Sequence, residues 1–294
     1  MTQRALNTQG FLEKHIPSCL ESMVNKKVQG IMQGCFGELD PSWRLSPGPS
    51  IKVSPPVVSD SLVEHLRSER VRPVRGIKRI KGPNTVELED GEEVEDVDAI
   101  ICCTGYRNDF SLLDRRYDPS SDPPAAWREA PGAKDRPLPR LYQNIFSMEA
   151  PESLAFLGCV WFPAGALMVA DLASMCIAQV WTGKSPLPTA AEMSRWVDGQ
   201  TERMVKLAHR GTPVVASVPQ MEWLRWADGT AGAGVFDRLG WGTKGWYFWM
   251  GDRELYKLVM DGVLTSASWR LFDEGKRRPW PGAREEIVRL NKEA

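Results

Sequence analysis

The chain has little of what most side-chain chemistry needs. Only three histidines occur in 294 residues, His15, His65 and His209. They are scattered and form no nucleophile–base pair, so each reads as a solvated or core residue. Six cysteines (Cys19, Cys35, Cys102, Cys103, Cys159 and Cys176) include no C-x-x-C pair and no zinc spacing, which argues against a metal site. An excess of one charge is missing too: 37 basic against 38 acidic residues gives a net charge of −1 and excludes an extended nucleic-acid footprint. The opening MTQRALNTQG has no apolar stretch long enough for a signal peptide. Cys102, Cys103, Cys159 and Cys176 all sit in apolar runs and read as reduced core residues of a cytoplasmic protein.

The glycine fingerprint G-x-G-x-x-G is absent as well. It would place a pyrophosphate on a helix N-terminus, where free N–H groups and the helix dipole favour negative charge. The nearest approach, Gly229-Thr230-Ala231-Gly232-Ala233-Gly234, has the wrong spacing, follows no strand pattern and reads as a flexible loop.

What is there is an ordinary globular composition, 42% hydrophobic and 26% charged, with length for one large or two ordinary domains. Ser153 to Ala170 carries no charge for 18 residues, the threshold for a membrane-spanning helix. Pro163 and Gly165 interrupt it, however. A buried strand over Leu154 to Val160 and a helix from about Pro163 to a stop at Gly183 explain it better. Leu167, Met168, Leu172, Met175, Cys176 and Gln179 recur at helical spacing in that second part.

The most informative stretch is Asp98 to Tyr106, DAIICCTGY. Five small or β-branched apolar residues predict a short strand buried on both faces, and the Gly105 turn lets a backbone or ligand approach closely. Upstream, Val71 to Ile80, a turn at Lys81 to Asn84, Thr85 to Glu89 and a turn at Asp90-Gly91 predict a meander leading into that strand.

Ile16 to Met32 reads as an amphipathic helix and Ala190 to Arg210 as another. Pro41 to Pro56 holds five prolines and reads as a connector. Pro119 to Pro139 holds six and reads as a surface insertion. Between Trp223 and Met250 lie five tryptophans, Trp223, Trp226, Trp241, Trp246 and Trp249, with Phe236, Tyr247 and Phe248 among them. A core patch is the first reading, a substrate-channel wall the second, and an interfacial belt for membrane or partner the third.

Four stretches in order resemble the C-terminal half of the flavin-containing monooxygenases, the dimethylaniline monooxygenase-like family. They are PPVVSDSL (Pro55 to Leu62), DGEEVEDVDAIICCTGYRNDFSLL (Asp90 to Leu113), and LYQNIF with PESLAFLG (Leu141 to Gly158). The fourth is a terminal block, Arg270-Leu271-Phe272 with Trp280-Pro281-Gly282-Ala283-Arg284. Cys103 stands where the family's signature strand usually has alanine.

The resemblance implies an α/β fold, an incomplete flavoprotein with two dinucleotide-binding domains. Residues 1–54 would be the end of the nicotinamide domain with its connector. Residues 55–294 would be the end of the FAD domain, combining a meander, buried parallel strands with helices, and a helical Trp-rich extension.

It also implies a reaction. NADPH would reduce FAD, the reduced flavin would capture O2 as a C4a-hydroperoxide, and a soft nitrogen or sulfur of a small amine or sulfide would take the distal oxygen. Close relatives of the family carry out Baeyer–Villiger oxidation or amine N-hydroxylation. The cofactor carries such chemistry, so the protein supplies orientation, electrostatics and exclusion of water.

By the same resemblance, Thr104 and Gly105 would bring backbone close to FAD, with Tyr106 packed beside them. Pro163, Ala164 and Gly165 would start a helix whose N–H groups face the flavin's pyrimidine edge and favour its anionic reduced form. Asp98 would fix the start of the signature strand, and Gln179 matches a glutamine-bearing family helix loosely. The family's phosphate cradles have no counterpart here. This leaves a truncated product, a split enzyme completed by another chain or copy, or an inactive remnant serving as a binding domain; truncation is the preferred reading.

Overall fold

The computed structural model describes residues 2–272 and 274–294. In chain order its helices are α1 (Gln3–His15), α2 (Pro17–Phe36), α3 (Leu62–Arg67), α4 (Ala125–Glu129), α5 (Ala166–Trp181), α6 (Ala190–Ala208), α7 (Gln220–Ala231), α8 (Val235–Arg238), α9 (Thr243–Gly251), α10 (Arg253–Asp261) and α11 (Ala283–Glu293). Three strands, β1 (Ile77–Ile80), β2 (Val86–Leu88) and β3 (Glu93–Val94), form an antiparallel sheet in the order 1-2-3. The chain divides into two compact units: residues 23–51 with 56–107, and residues up to 22 with 52–55 and 108 onward.

The smaller unit holds the predicted meander. Ile77 pairs with Leu88 and Ile80 with Val86, with a bulge after Ile77, and Gly91 takes the positive φ of 87° that its turn needs. Val86, Glu87 and Leu88 are buried while β1 stays exposed. The Glu87 carboxylate accepts from Lys78 Nζ and Arg79 Nε, each at 2.7 Å, and these cations hold it down at about 2.

The predicted buried strand after the meander does not form. Asp98 to Cys103 is irregular and exposed, and Ile101 keeps 84% of its surface. A strand buried on both faces needs hydrogen-bonding neighbours and a covering layer. Among the described residues the only sheet is this small antiparallel one, so its apolar run has nothing to pair with. The buried parallel strands expected of the fold are likewise not found among the described residues. Cys102 and Cys103, expected in the core, are exposed for the same reason, whereas Cys159 and Cys176 are buried.

The larger unit is helical. α5 packs most extensively on α7, burying Leu172 and Cys176 against Leu224 and Ala227 in one cluster. The predicted stop is where it was placed: Thr182 caps α5, and Gly183 follows at φ 72°. α6 begins at a capping box in which Thr189 and Glu192 satisfy each other's free amides.

Leu154 to Val160 is a correction. It makes a single bridge, Ala155 with Phe146, and is otherwise irregular. Pro119 to Pro139, read as a surface insertion, is another, because part of it is buried. Trp127, Ala130, Ala133 and Leu138 bury themselves with Met204, Leu207 and Ala208 of α6 as a second small core. The Arg136 guanidinium donates to the carbonyls of Gly132, Ala133 and Pro213 and clamps that loop down. No helix among the described residues is long and apolar enough to cross a membrane.

Candidate functional site

The segment leading into α5 is held from several sides. Trp161 N–H donates to Ala216 O at 2.7 Å, and Val218 N–H donates back to Trp161 O at 3.1 Å, a parallel bridge. Phe162 is buried with its ring 5.6 Å from that of Trp223, whose indole N–H donates to Gln143 O at 3.0 Å. Below it, Asn144 Nδ2 donates to Cys159 O at 2.8 Å and to Ala216 O at 3.3 Å. Gln143 and Asn144 are both buried and both left-handed, at φ 53° and 55°. Two such residues in succession are uncommon outside glycine, and the bonds they make account for their persistence.

Arg203 secures the other side. Its guanidinium and the Gln200 amide both donate to the buried Ser217 carbonyl, and burial lowers the guanidinium to about 10. Among the described residues its hydrogen bonds go to no carboxylate, while the charges of Glu13 and Glu222 favour the cation from a distance.

On this frame the chain turns at Pro163, Ala164 and Gly165 into the first turn of α5. Ala164 N–H donates to Phe162 O at 2.7 Å, and Gly165 is the N-cap without a side-chain cap. Pro163, Gly165, Ala166 and Leu167 are exposed, and nothing lies within 4 Å of a Cβ built on Gly165. A 16-residue helix therefore presents free amides and its positive dipole end to open space. At the far end of its first turns, Arg270 Nε donates to Asp171 Oδ2 at 2.9 Å in a two-pronged pair that ties the terminal block to α5.

The second group of candidates, Thr104, Gly105 and Tyr106, lies in the smaller unit. Gly105 has φ 88° with nothing near its Cβ position, a conformation suited to close approach of another group. The Tyr106 ring is fully exposed, not packed beside the turn. The two groups fall in separate compact units. Gln179 is buried, and its side-chain oxygen has no hydrogen-bond partner among the described residues.

The near-fingerprint at Gly229 to Gly234 is corrected from flexible loop to tight structure. α7 runs through Gly229 to Ala231, then Gly232 and Gly234 turn the chain at φ 67° and 65°. The buried Asp228 carboxylate accepts from Val235 N at 2.9 Å and Phe236 N at 3.2 Å. A carboxylate already fills the place an anion would take, and burial pushes it up to about 6.

The aromatic region splits in two. Trp223 is buried and Trp226 packs beside Tyr142 and Phe146, the predicted core patch. Trp241, Trp246, Tyr247 and Trp249 stand exposed.

The pattern of the flavin-binding monooxygenase-like proteins matches residues 4–293. The chain belongs to that family. Among its relatives, Monooxygenase aurF of Gibberella zeae is 39% identical over 290 residues, covering 99% of this chain and 54% of the relative. A 4-hydroxybenzoate brominase (decarboxylating) of Marinomonas mediterranea is 30% identical over 178 residues, 60% of this chain and 30% of that protein. Human flavin-containing monooxygenase 5 is 25% identical over 276 residues, 92% of this chain and 45% of that protein. The chain thus spans about half the length of the full-length family relatives it matches.

Within the family frame, the residues that hold the α5 entry were not evident from sequence. Asn144 inside LYQNIF was the one available signal, since Asn tolerates the left-handed region better than most residues. Nothing marked Arg203 or Arg136 as clamps.

Proposed function

We propose that this chain is part of a flavin-dependent monooxygenase that uses FAD and NADPH to oxygenate a soft nitrogen or sulfur of a small organic substrate. The balance is substrate, O2, NADPH and a proton in, with oxygenated substrate, NADP+ and water out. Family membership supports the reading, and one structural observation carries it: the uncapped, open, rigidly held start of α5 at Pro163 to Gly165.

The residues present fit a flavin in part. Free amides at a helix N-terminus suit an electron-rich ring edge that gains negative charge on reduction. Gly165 leaves room for a ring against the backbone. Bound FAD would supply the redox chemistry with NADPH and O2. The chain's own part would be to hold the ring edge and to stabilise its charge at these amides. In the smaller unit, Thr104, Gly105 and Tyr106 stay candidate FAD contacts on the family resemblance alone.

The exposed run Asp98 to Cys103 supports the accompanying idea that it forms its strand against a βαβ unit bearing G-x-G-x-x-G, which would also cradle the phosphates. The test is a visible absorbance spectrum of the purified chain with and without FAD, repeated with the glycine-fingerprint half of a relative. A perturbed flavin spectrum that Gly165→Asp weakens supports the reading. A spectrum of free FAD under both conditions, from folded protein, sinks it.

A further inference from the structure

Gln200 and Arg203 lie three residues apart on α6 and so face the same side. Both donate to one acceptor, the buried Ser217 carbonyl. Gln200 Nε2 does so at 2.7 Å, and the Arg203 guanidinium adds a charge-assisted bond. Arg203 Nε also donates to Gln200 Oε1 at 3.0 Å, so the two side chains hold each other in place. A carbonyl has two lone pairs, and here both are taken, one of them by a cation.

The peptide unit that opens with this carbonyl closes with the Val218 N–H, which donates to Trp161 O at 3.1 Å. The next unit runs from Trp161 O to the Phe162 N–H. Bonds in such a chain polarise one another, so a cation at one end strengthens each donor in turn. The chain stops at Phe162. That residue is 3% exposed, yet its N–H makes no hydrogen bond among the described residues. A buried donor left over is rare in a folded protein and points to a partner the chain does not itself supply. Pro163 has no N–H, and Ala164 N–H is used on Phe162 O at 2.7 Å. Phe162 N–H is thus the spare donor between the Trp161 bridge and the Gly165 cap of α5.

We infer that Arg203 is a positioning residue for the start of α5. Through the Ser217–Val218 and Trp161–Phe162 peptides it holds the Phe162 N–H as a polarised donor, just ahead of the free amides, for the electron-rich edge of a bound ring. That the ring is a flavin rests on the reading above; the hydrogen-bond chain does not.

The test uses the full chain and the variants Arg203→Gln, Arg203→Lys and Gln200→Met, each checked by circular dichroism. Amide hydrogen exchange without cofactor reads the chain itself. Arg203→Gln should speed exchange at Val218 and Trp161 about tenfold and leave Ile287 in α11 unchanged. FAD binding, measured by flavin absorbance with the glycine-fingerprint half of a relative present, reads the charge. Arg203→Gln should weaken it about tenfold, while Gln200→Met, which removes a donor but keeps the cation, should weaken it less than threefold. Arg203→Lys should recover most of the loss. Unchanged exchange at Val218 and Trp161 in folded Arg203→Gln overturns the inference whether or not flavin binds. Flavin binding that falls equally in Arg203→Gln and Gln200→Met, or in neither, overturns it as well. Wild-type protein that binds no flavin sinks the flavin reading instead, and the exchange rates alone then decide the role of Arg203.

Discussion

The amide of Asn144 reaches across 2.8 Å to the carbonyl of Cys159 and thereby fixes the chain two residues before Trp161. It does so from a left-handed backbone at φ 55°, with a second bond to Ala216 O. One side chain thus joins three segments that set where α5 begins. Asn144→Ala leaves the Cys159 carbonyl short of a donor, while Ala216 O keeps Trp161 N–H, and places a Cβ residue less tolerant of this φ. The expected loss is about 2–3 kcal/mol in urea unfolding. Asn144→Gly relieves only the backbone part and should recover no more than about 1 kcal/mol of it. Equal stability of all three proteins would show that the bridge holds nothing.

Gly165 gives a prediction in which stability and binding move in opposite directions. Gly165→Asp adds a carboxylate at the N-cap of α5, where it satisfies free amides and complements the dipole. Thermal unfolding should rise, by about 0.5–1 kcal/mol. The same carboxylate occupies the space proposed for the flavin edge and repels its reduced, anionic form, so flavin affinity should fall at least tenfold. A variant that is more stable and binds flavin unchanged would move the cofactor away from this helix.

Asp228 should give the larger unit a distinctive pH dependence. Its folded value is raised to about 6, chiefly by burial, while an unfolded aspartate titrates near 3.9. Below about pH 4 both states hold the proton. Between 4 and 6 only the folded state does, so stability falls as pH rises through this window. The contribution lost is on the order of 2–3 kcal/mol by pH 7. Asp228→Asn should flatten the profile between pH 4 and 7 and match wild type most closely near pH 4. A slope that survives the substitution would place its origin elsewhere.

Glu87 predicts the opposite sign in the smaller unit. Its carboxyl is held at about 2 by bonds from Lys78 and then Arg79, below an unfolded glutamate near 4.3. The stabilisation is present above about pH 4 and is lost as pH falls through about 2. Lys78 and Arg79 are largely exposed, so the effect should be small and weakened by salt. Glu87→Gln should remove the acid-side loss measured by fluorescence below pH 4, and no other part of the curve.

Elements whose partners lie close in sequence were legible from the chain alone. The meander, the helix α6 and the stop of α5 at Gly183 each follow from a few neighbouring residues, whereas the Thr189–Glu192 cap of α6 went unread. Asp98 to Cys103 shows the limit. Its apolar run reads correctly as strand-forming, but a strand exists only with a neighbour to bond, and pairing is not a property of the segment. Arg136 and Arg203 illustrate another limit. Their partners are carbonyls of Pro213 and Ser217, which no pattern of side chains announces. The open start of α5 was readable at Pro163, yet its rigidity depends on Asn144 and Trp223, distant in sequence and brought in by the fold.

The segment Pro119 to Pro139 supplies the sharpest test of packing, because composition alone made it a surface insertion. Gly132 N–H donates to Ala208 O at 2.9 Å, and a Cβ there would lie 1.6 Å from Gly211 O and 2.5 Å from Ala208 O. Both obstacles are backbone, which cannot rotate aside as a side chain could. Gly132→Ala should therefore force the loop off α6, expose Trp127 and Leu138, and cost at least about 3 kcal/mol. Gly199 is the control: it sits on the exposed face of α6 with nothing near its Cβ position. Gly199→Ala should stabilise the same helix by about 0.5–1 kcal/mol through helix propensity. If Gly132→Ala instead behaves like Gly199→Ala, the insertion does not pack on α6, and its tryptophan should prove accessible to iodide in the wild-type protein.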